Sequence, residues 1–288
     1  MIDIVREDVS MTTPDHGPAV QRILLGANLQ ETREAVPLSI TEATKILGWH
    51  SGKLSRIESG DGITNTDDLA DLVKAYGASA ELADQWRQLA RDARRRLPPA
   101  RVPSWAAKYV HLEAAAQELA MFAEASWPGP MQTKDYARAM LARAVTVPAA
   151  DVDRMALDRE KRGDVLATPG APLVWLVVGE EALHRELGGR AVLRAQLEHV
   201  RDMAMVPHIN VQVLPFSGGA HSAHGVPFTI VTLVAGRPGI VYLEFLDRSE
   251  YVGGDAVRVY ARAFDELRSD ALSPQATLDM LNRRIDQL

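Results

Sequence analysis

The sequence predicts two domains of different class, an N-terminal all-α helix-turn-helix domain and a C-terminal α+β domain with a small, mostly antiparallel sheet flanked by helices. Three observations carry this. From residue 18 to about residue 97, apolar residues recur at three- and four-residue spacings between capping and stop signals. "RLPPARVPSW" (96–105) then interrupts the pattern with three prolines and no period. Beyond it, short apolar runs of strand length cluster late in the chain among helical stretches, rather than alternating regularly with them.

Composition sets the outer limits. The chain has 288 residues, 47% hydrophobic and 24% charged, long enough for two domains. Cysteine is absent, which excludes disulfides, thiolate metal sites and a thiol nucleophile. The N-terminus "MIDIVREDVSMTTPDHG" is charged and no apolar run reaches about 18 residues, so neither a signal peptide nor a membrane span is expected. A cytoplasmic location follows as the expectation. The formal net charge of -6 argues against a sequence-independent nucleic-acid coat, because such affinity comes from neutralising phosphates. Contact with DNA would have to be local.

The elements follow in order. Residues 1–17 have no periodicity and read as a flexible leader. "AVQRILLGANLQETREAV" is a first helix, stopped near Pro37 because the residue before proline avoids the helical region. Ser39 N-caps "ITEATKIL", with Glu42 three residues on completing a capping box. Gly48 follows as a left-handed C′ residue. "SGKLSRIES" is a third helix closed by Gly60, "NTDDLADLVKAYG" a fourth and "SAELADQWRQLARDARRRL" a fifth. A helical domain over 18–97, a linker over 98–104 and an α+β domain over 105–288 are thereby predicted. In the second domain, "WAAKYVHLEAAAQELAMFAEA", "KDYARAMLARAV" and "AADVDRMALDREKRG" read as helices. "LVWLVVG" (173–179) reads as a strand, followed by a helical stretch to about Val206 that is split at Gly188 and Gly189. Strands are expected at 209–215, 226–234 and 239–247, and helices near 254–269 and 274–286.

Two short helices joined by a turn at Gly48 make a helix-turn-helix, whose second helix is the reader. On a wheel at about 100° per residue, Leu54 and Ile57 of residues 51–59 face inward. Gly52, Ser55, Arg56 and Ser59 occupy the opposite face, and Ser51 sits at the N-terminal end where such helices approach base edges. Lys53 and Lys45 are placed for phosphates, with His50 at the helix start. Between Lys45 and Arg56 there are three cations and no carboxylate, although residues 1–100 hold 12 Lys and Arg against 15 Asp and Glu. The positive patch is confined to the reading surface. The DNA-contacting set expected from the sequence is therefore Lys45, His50, Ser51, Gly52, Lys53, Ser55 and Arg56.

Through "LSITEATKILGWHSGKLSRIESG", residues 19–96 resemble the lambda-repressor-like DNA-binding domain of XRE regulators. That resemblance implies a structural ion pair between Arg33 and Glu58, which removes Glu58 from the base readers. The remainder resembles the effector domain of WhiJ-type actinomycete regulators. "PGPMQTKDYARAML", "GEEALHRELGG", "QLEHV", "INVQVLPFSGGAHSAHGVPFTIV", "IVYLEF" and "ALSP" carry this second likeness. The sequence departs from the pattern at Pro37, at Pro130 and Met131, and in "DREKRGD" (158–164). The resemblance implies a transcription regulator that binds operator DNA, with an antitoxin-like role toward a small partner protein as the second reading.

The second half offers weak chemical signals. Glu180, Glu181 and His184 lack the paired-histidine spacing of zinc hydrolases and read as a solvated face. His221 and His224 sit three apart in a glycine-rich loop, without a neighbouring carboxylate or cysteine in the sequence. A zinc site needs three or four protein ligands, so no metal is expected there. Gly188-Gly189 and Gly253-Gly254 lack phosphate-loop spacing. Trp105, Tyr109, Trp127 and Trp175 read as core. With no G-x-S-x-G elbow and no nucleotide fingerprint, neither catalysis nor a cofactor is expected. A homodimer is, because one short helix reads too few base pairs. The signal would be a partner protein or a small molecule.

Overall fold

The computed structural model describes residues 17–60, 62–95, 104–166, 168, 170–234, 239–253 and 256–288. The predicted leader and linker lie outside these, apart from Gly17 and Ser104. The chain forms two compact units, residues 1–96 and 97–288.

The described part of the first unit is helical: α1 (Gly17–Ala35), α2 (Ile40–Leu47), α3 (Ser51–Glu58), α4 (Thr66–Tyr76) and α5 (Ala80–Asp92). Local signals set the boundaries. Ser39 Oγ accepts from the Glu42 N–H while Glu42 Oε2 accepts from the Ser39 N–H, a closed capping box. Asn65 and Ser79 cap α4 and α5 in the same sense. Leu25, Leu29, Leu54, Ile57, Leu69, Leu72 and Trp86 fill the core. Trp86 is fully buried and meets Tyr76 edge-on at 6.4 Å. Gly26 lets α1 touch α3, since a Cβ there would lie 2.3 Å from the Glu58 carbonyl oxygen.

The second unit is α+β. Its elements run α6 (Ser104–Ala115), β1 (Glu118–Ala123), α7 (Lys134–Leu141), α8 (Val152–Leu166), β2 (Leu173–Gly179), α9 (Arg190–Met203) and β3 (Ile209–Leu214). β4 (Phe228–Thr232), β5 (Ile240–Glu244), β6 (Ser249–Val252), α10 (Val257–Asp270) and α11 (Pro274–Gln287) follow. The sheet order is β3-β2-β1-β4-β5-β6. β1, β2 and β3 run parallel, while β1–β4, β4–β5 and β5–β6 are antiparallel. The sheet is thus mixed and open, with antiparallel pairing at three of its five ladders and the parallel crossovers made by helices.

Three expectations are corrected. The helix predicted through residue 125 ends at Ala115, and Glu118–Ala123 is a central strand. Leu, Ala, Met and Phe favour a helix here, yet Leu119–Phe122 are buried in succession between a parallel and an antiparallel neighbour. A strand covered on both faces reads as a continuous apolar run, without alternation. The stretch after β2 is a single 3₁₀ turn at Glu180–Leu183, and helix resumes only at Arg190. The strand predicted over 239–247 ends at Glu244, where a tight turn returns the chain as β6. β6 is short and polar, as suits an edge strand, and gave no apolar signal.

Candidate functional site

The turn between α2 and α3 is built by the backbone. Gly48 adopts φ 67°, its N–H donates to Lys45 O, and the Trp49 N–H donates to Thr44 O at 2.9 Å. This is a Schellman closure, which needs a residue at ease in the left-handed region. It swings α3 out of line with α2, so that Leu54 and Ile57 are buried and the other flank is left outward.

Lys45, His50, Ser51, Gly52, Lys53, Ser55 and Arg56 are all exposed. Their surroundings differ. Arg56 forms no ion pair with another described residue. Lys53 is engaged: its Nζ lies 2.6 Å from Asp68 Oδ1 and 3.9 Å from the centre of the Trp49 ring. The carboxylate of α4 thus competes for the charge that the sequence assigns to phosphate, and neither Asp68 nor Trp49 was legible as its partner. His50 takes the N-cap position of α3 in extended conformation without a side-chain cap, and its carbonyl oxygen accepts from the Lys53 N–H at 3.0 Å.

Beneath this flank Arg33 and Glu58 are joined by two hydrogen bonds, Nε to Oε1 at 2.8 Å and Nη2 to Oε2 at 2.9 Å. Arg33 Nη1 also donates to Leu38 O, and the Tyr76 hydroxyl donates to Glu58 Oε1. Hydrogen bonding to Glu58 raises the Arg33 pKa, and burial raises that of Tyr76. The cluster ties α1, α3 and α4 together behind the reading face.

The second unit encloses a cavity of about 690 Å³, within the range of small-molecule sites. Its walls include Tyr109, Trp127, Met140, Phe228 and Tyr242. Tyr109 and Trp127 are buried, as core residues are, and they also face this space. Tyr109 stacks on Tyr242 with ring centres 4.1 Å apart. Burial holds both phenols well above their ordinary pKa, and Glu244 beside Tyr242 adds to its shift. Two guanidiniums from α8 line the same space. Arg162 is paired with Glu113 at 2.9 Å. Arg159 donates to Gln132 Oε1 at 2.8 Å but has no carboxylate in ion-pair contact among the described residues. Burial, followed by the nearby Arg162, pushes its pKa down. An arginine desolvated beside a cavity without its own counter-ion is suited to a ligand anion. "DREKRGD" contains both arginines, and only the folding of α8 shows that they share a cavity.

Another correction concerns the two loop histidines. A carboxylate does adjoin them: Glu124 Oε1, just past β1, lies 3.9 Å from His221 Nε2 and 3.7 Å from His224 Nδ1. The three ligand atoms lie within 4.8 Å of one another. Glu180, by contrast, accepts from the Phe216 N–H and lies 3.5 Å from His184, an ordinary loop contact.

Comparison with known families divides the chain similarly. Residues 24–86 match a helix-turn-helix domain, and residues 106–283 match a domain of unknown function, DUF5753. The helix-turn-helix match supports a DNA-binding regulator. No curated protein and no solved structure matches the chain. No helix among the described residues is long and apolar enough to cross a membrane.

Proposed function

Since the chain belongs to the DUF5753 family and carries a helix-turn-helix domain ahead of that region, we propose that it is a sequence-specific transcription regulator of the XRE kind. α3 lies in the major groove of its operator and the second unit receives a signal. One observation carries the reading. The outward flank of α3 is polar and exposed, while its opposite flank is sealed into the core. Ser51, Gly52, Ser55 and Arg56 face base edges, and Lys45 and His50 steady the phosphates. Lys53 joins them only by exchanging Asp68 for a phosphate. Two copies bind adjacent half-sites as a homodimer, doubling the base pairs read.

The effector reading is a small-molecule sensor. The aromatic cavity, with Arg159 in ion-pair contact with no carboxylate among the described residues, supports a largely apolar ligand bearing a carboxylate or phosphate. An antitoxin-like role is the second outcome to look for. A small protein co-purifying stoichiometrically from the native host, with the cavity empty, would move the signal from ligand to partner.

The direct test is selection of bound duplexes from a random pool with the full chain, followed by Arg56→Ala. An arginine bidentate to guanine contributes about 1–3 kcal/mol of discrimination. The variant should therefore lose roughly 5- to 150-fold on the selected site and little on unrelated DNA. Equal loss on both would reduce Arg56 to a phosphate contact, and no enrichment of any sequence would overturn the reading.

A further inference from the structure

We propose that Glu124, His221 and His224 form a binding site for a divalent transition-metal ion of the zinc class. The topology assembles it. β1 is parallel to β2 but antiparallel to β4, so its carboxyl end meets the amino end of β4. The connection from β3 to β4 must therefore travel along the carboxyl edge of the parallel strands, passing β2 and β1 on the way. His221 and His224 lie on that connection, and Glu124 is the first residue past β1. Open sheets place ligands at this edge, where the strand order reverses.

The distances fit. Zinc bonds of about 2.0–2.1 Å in tetrahedral geometry put ligand atoms roughly 3.4 Å apart. The two pairs at 3.7 and 3.9 Å need only a small inward turn of side chains. The carboxylate is already held, since the Gly225 N–H donates to Glu124 Oε1 at 3.2 Å. His221 supplies a separate observation. Its side chain is only 9% exposed, and its Nε2 is turned toward Glu124 at 3.9 Å, beyond hydrogen-bond reach. With no hydrogen bond to another described residue, that nitrogen keeps its lone pair available to an ion.

Two imidazoles with one carboxylate select zinc and its neighbours over calcium and magnesium, which prefer all-oxygen shells. Three protein ligands leave a fourth position open. An ion there would tie the β3–β4 connection to the end of β1. The tie reaches the cavity. The His221 ring meets Phe122 edge-on at 5.3 Å, and both Phe122 and Phe228 line that space. An ion joining the loop to β1 thus fixes one cavity wall.

The test uses the untagged full chain, stripped with chelator and titrated with Zn²⁺ and then Co²⁺. The expected result is saturable binding of a single ion, visible Co²⁺ bands of a low-coordinate nitrogen and oxygen site, and a Zn²⁺-dependent rise in melting temperature. His224 is largely exposed, so His224→Ala keeps the fold and should weaken binding by about 100-fold or more, since losing even an outer-shell partner costs roughly 10–100-fold. Glu124→Gln should do the same. Absence of saturable binding overturns the proposal, as does binding that survives both substitutions undiminished; in either case the three side chains are polar neighbours only.

Discussion

At the scale of single residues, the helix-turn-helix unit depends on a buried ion pair. Arg33 and Glu58 are only 7% and 5% exposed at their side chains and form two parallel hydrogen bonds. Two charges so far from water are held in one geometry, and the loss of either strands the other. Glu58→Gln keeps the volume and leaves the guanidinium only the longer ionic contact to the exposed Glu34 at 3.5 Å, so it should destabilise the chain by up to about 3–5 kcal/mol. Urea unfolding followed by helix circular dichroism measures this, and a loss below about 1 kcal/mol would place the pair among ordinary surface bridges. The Lys53–Asp68 contact is of that weaker kind, since Lys53 is 43% exposed at its side chain. Lys53 can therefore turn to a phosphate, although Asp68, 12% exposed at its side chain, is then left without it.

At the scale of elements, two glycines in neighbouring helices have opposite reasons to exist. A Cβ on Gly26 would overlap the backbone oxygens of Ile57 and Glu58 at 2.6 and 2.3 Å, whereas a Cβ on Gly52 meets nothing within 4 Å. Gly26→Ala must push α1 off α3 and should cost at least about 1–3 kcal/mol, the usual penalty of overpacking. Gly52→Ala should leave the melting temperature unchanged or raise it, because alanine favours a helix by up to about 1 kcal/mol over glycine. If Gly52→Ala also weakens operator binding, the open flank needs its missing side chain for close approach to DNA. The reverse pattern, a stable Gly26→Ala and an unfolded Gly52→Ala, would show the two helices packed otherwise. The same scale explains the largest error of the sequence reading. β1 has the composition of a helix and lies where α6 would continue, and its strand state comes from ladders to β2 and β4. Those partners are remote in sequence, so no local pattern in "ELAMFA" reports them.

At the scale of the whole molecule, one residue burdens the fold around the cavity. Arg159 is desolvated with no carboxylate in ion-pair contact among the described residues, a cost that the proposed ligand anion would relieve. Arg159→Met should therefore leave the melting temperature of the ligand-free chain level or higher. It should also abolish the stabilisation that apolar carboxylates or phosphates give the parent in thermal-shift assays. A fall of more than about 4 °C in the ligand-free variant, roughly 1 kcal/mol for a domain of this size or smaller, would make Arg159 a structural residue instead.

The sequence by itself determined whatever rests on neighbours a few residues apart. These include the capping box at Ser39 and Glu42, the left-handed Gly48, the inward Leu54 and Ile57 and the exposed flank of α3. Hydrogen bonds and side-chain directions within one turn of a helix repeat with its period, so they are written locally. The tertiary structure alone decided the strand identity of β1, the partner of Lys53, the cavity between α8 and the sheet, and the meeting of Glu124 with His221 and His224. Each joins groups from elements far apart in the chain, brought together by sheet order and burial rather than by any spacing.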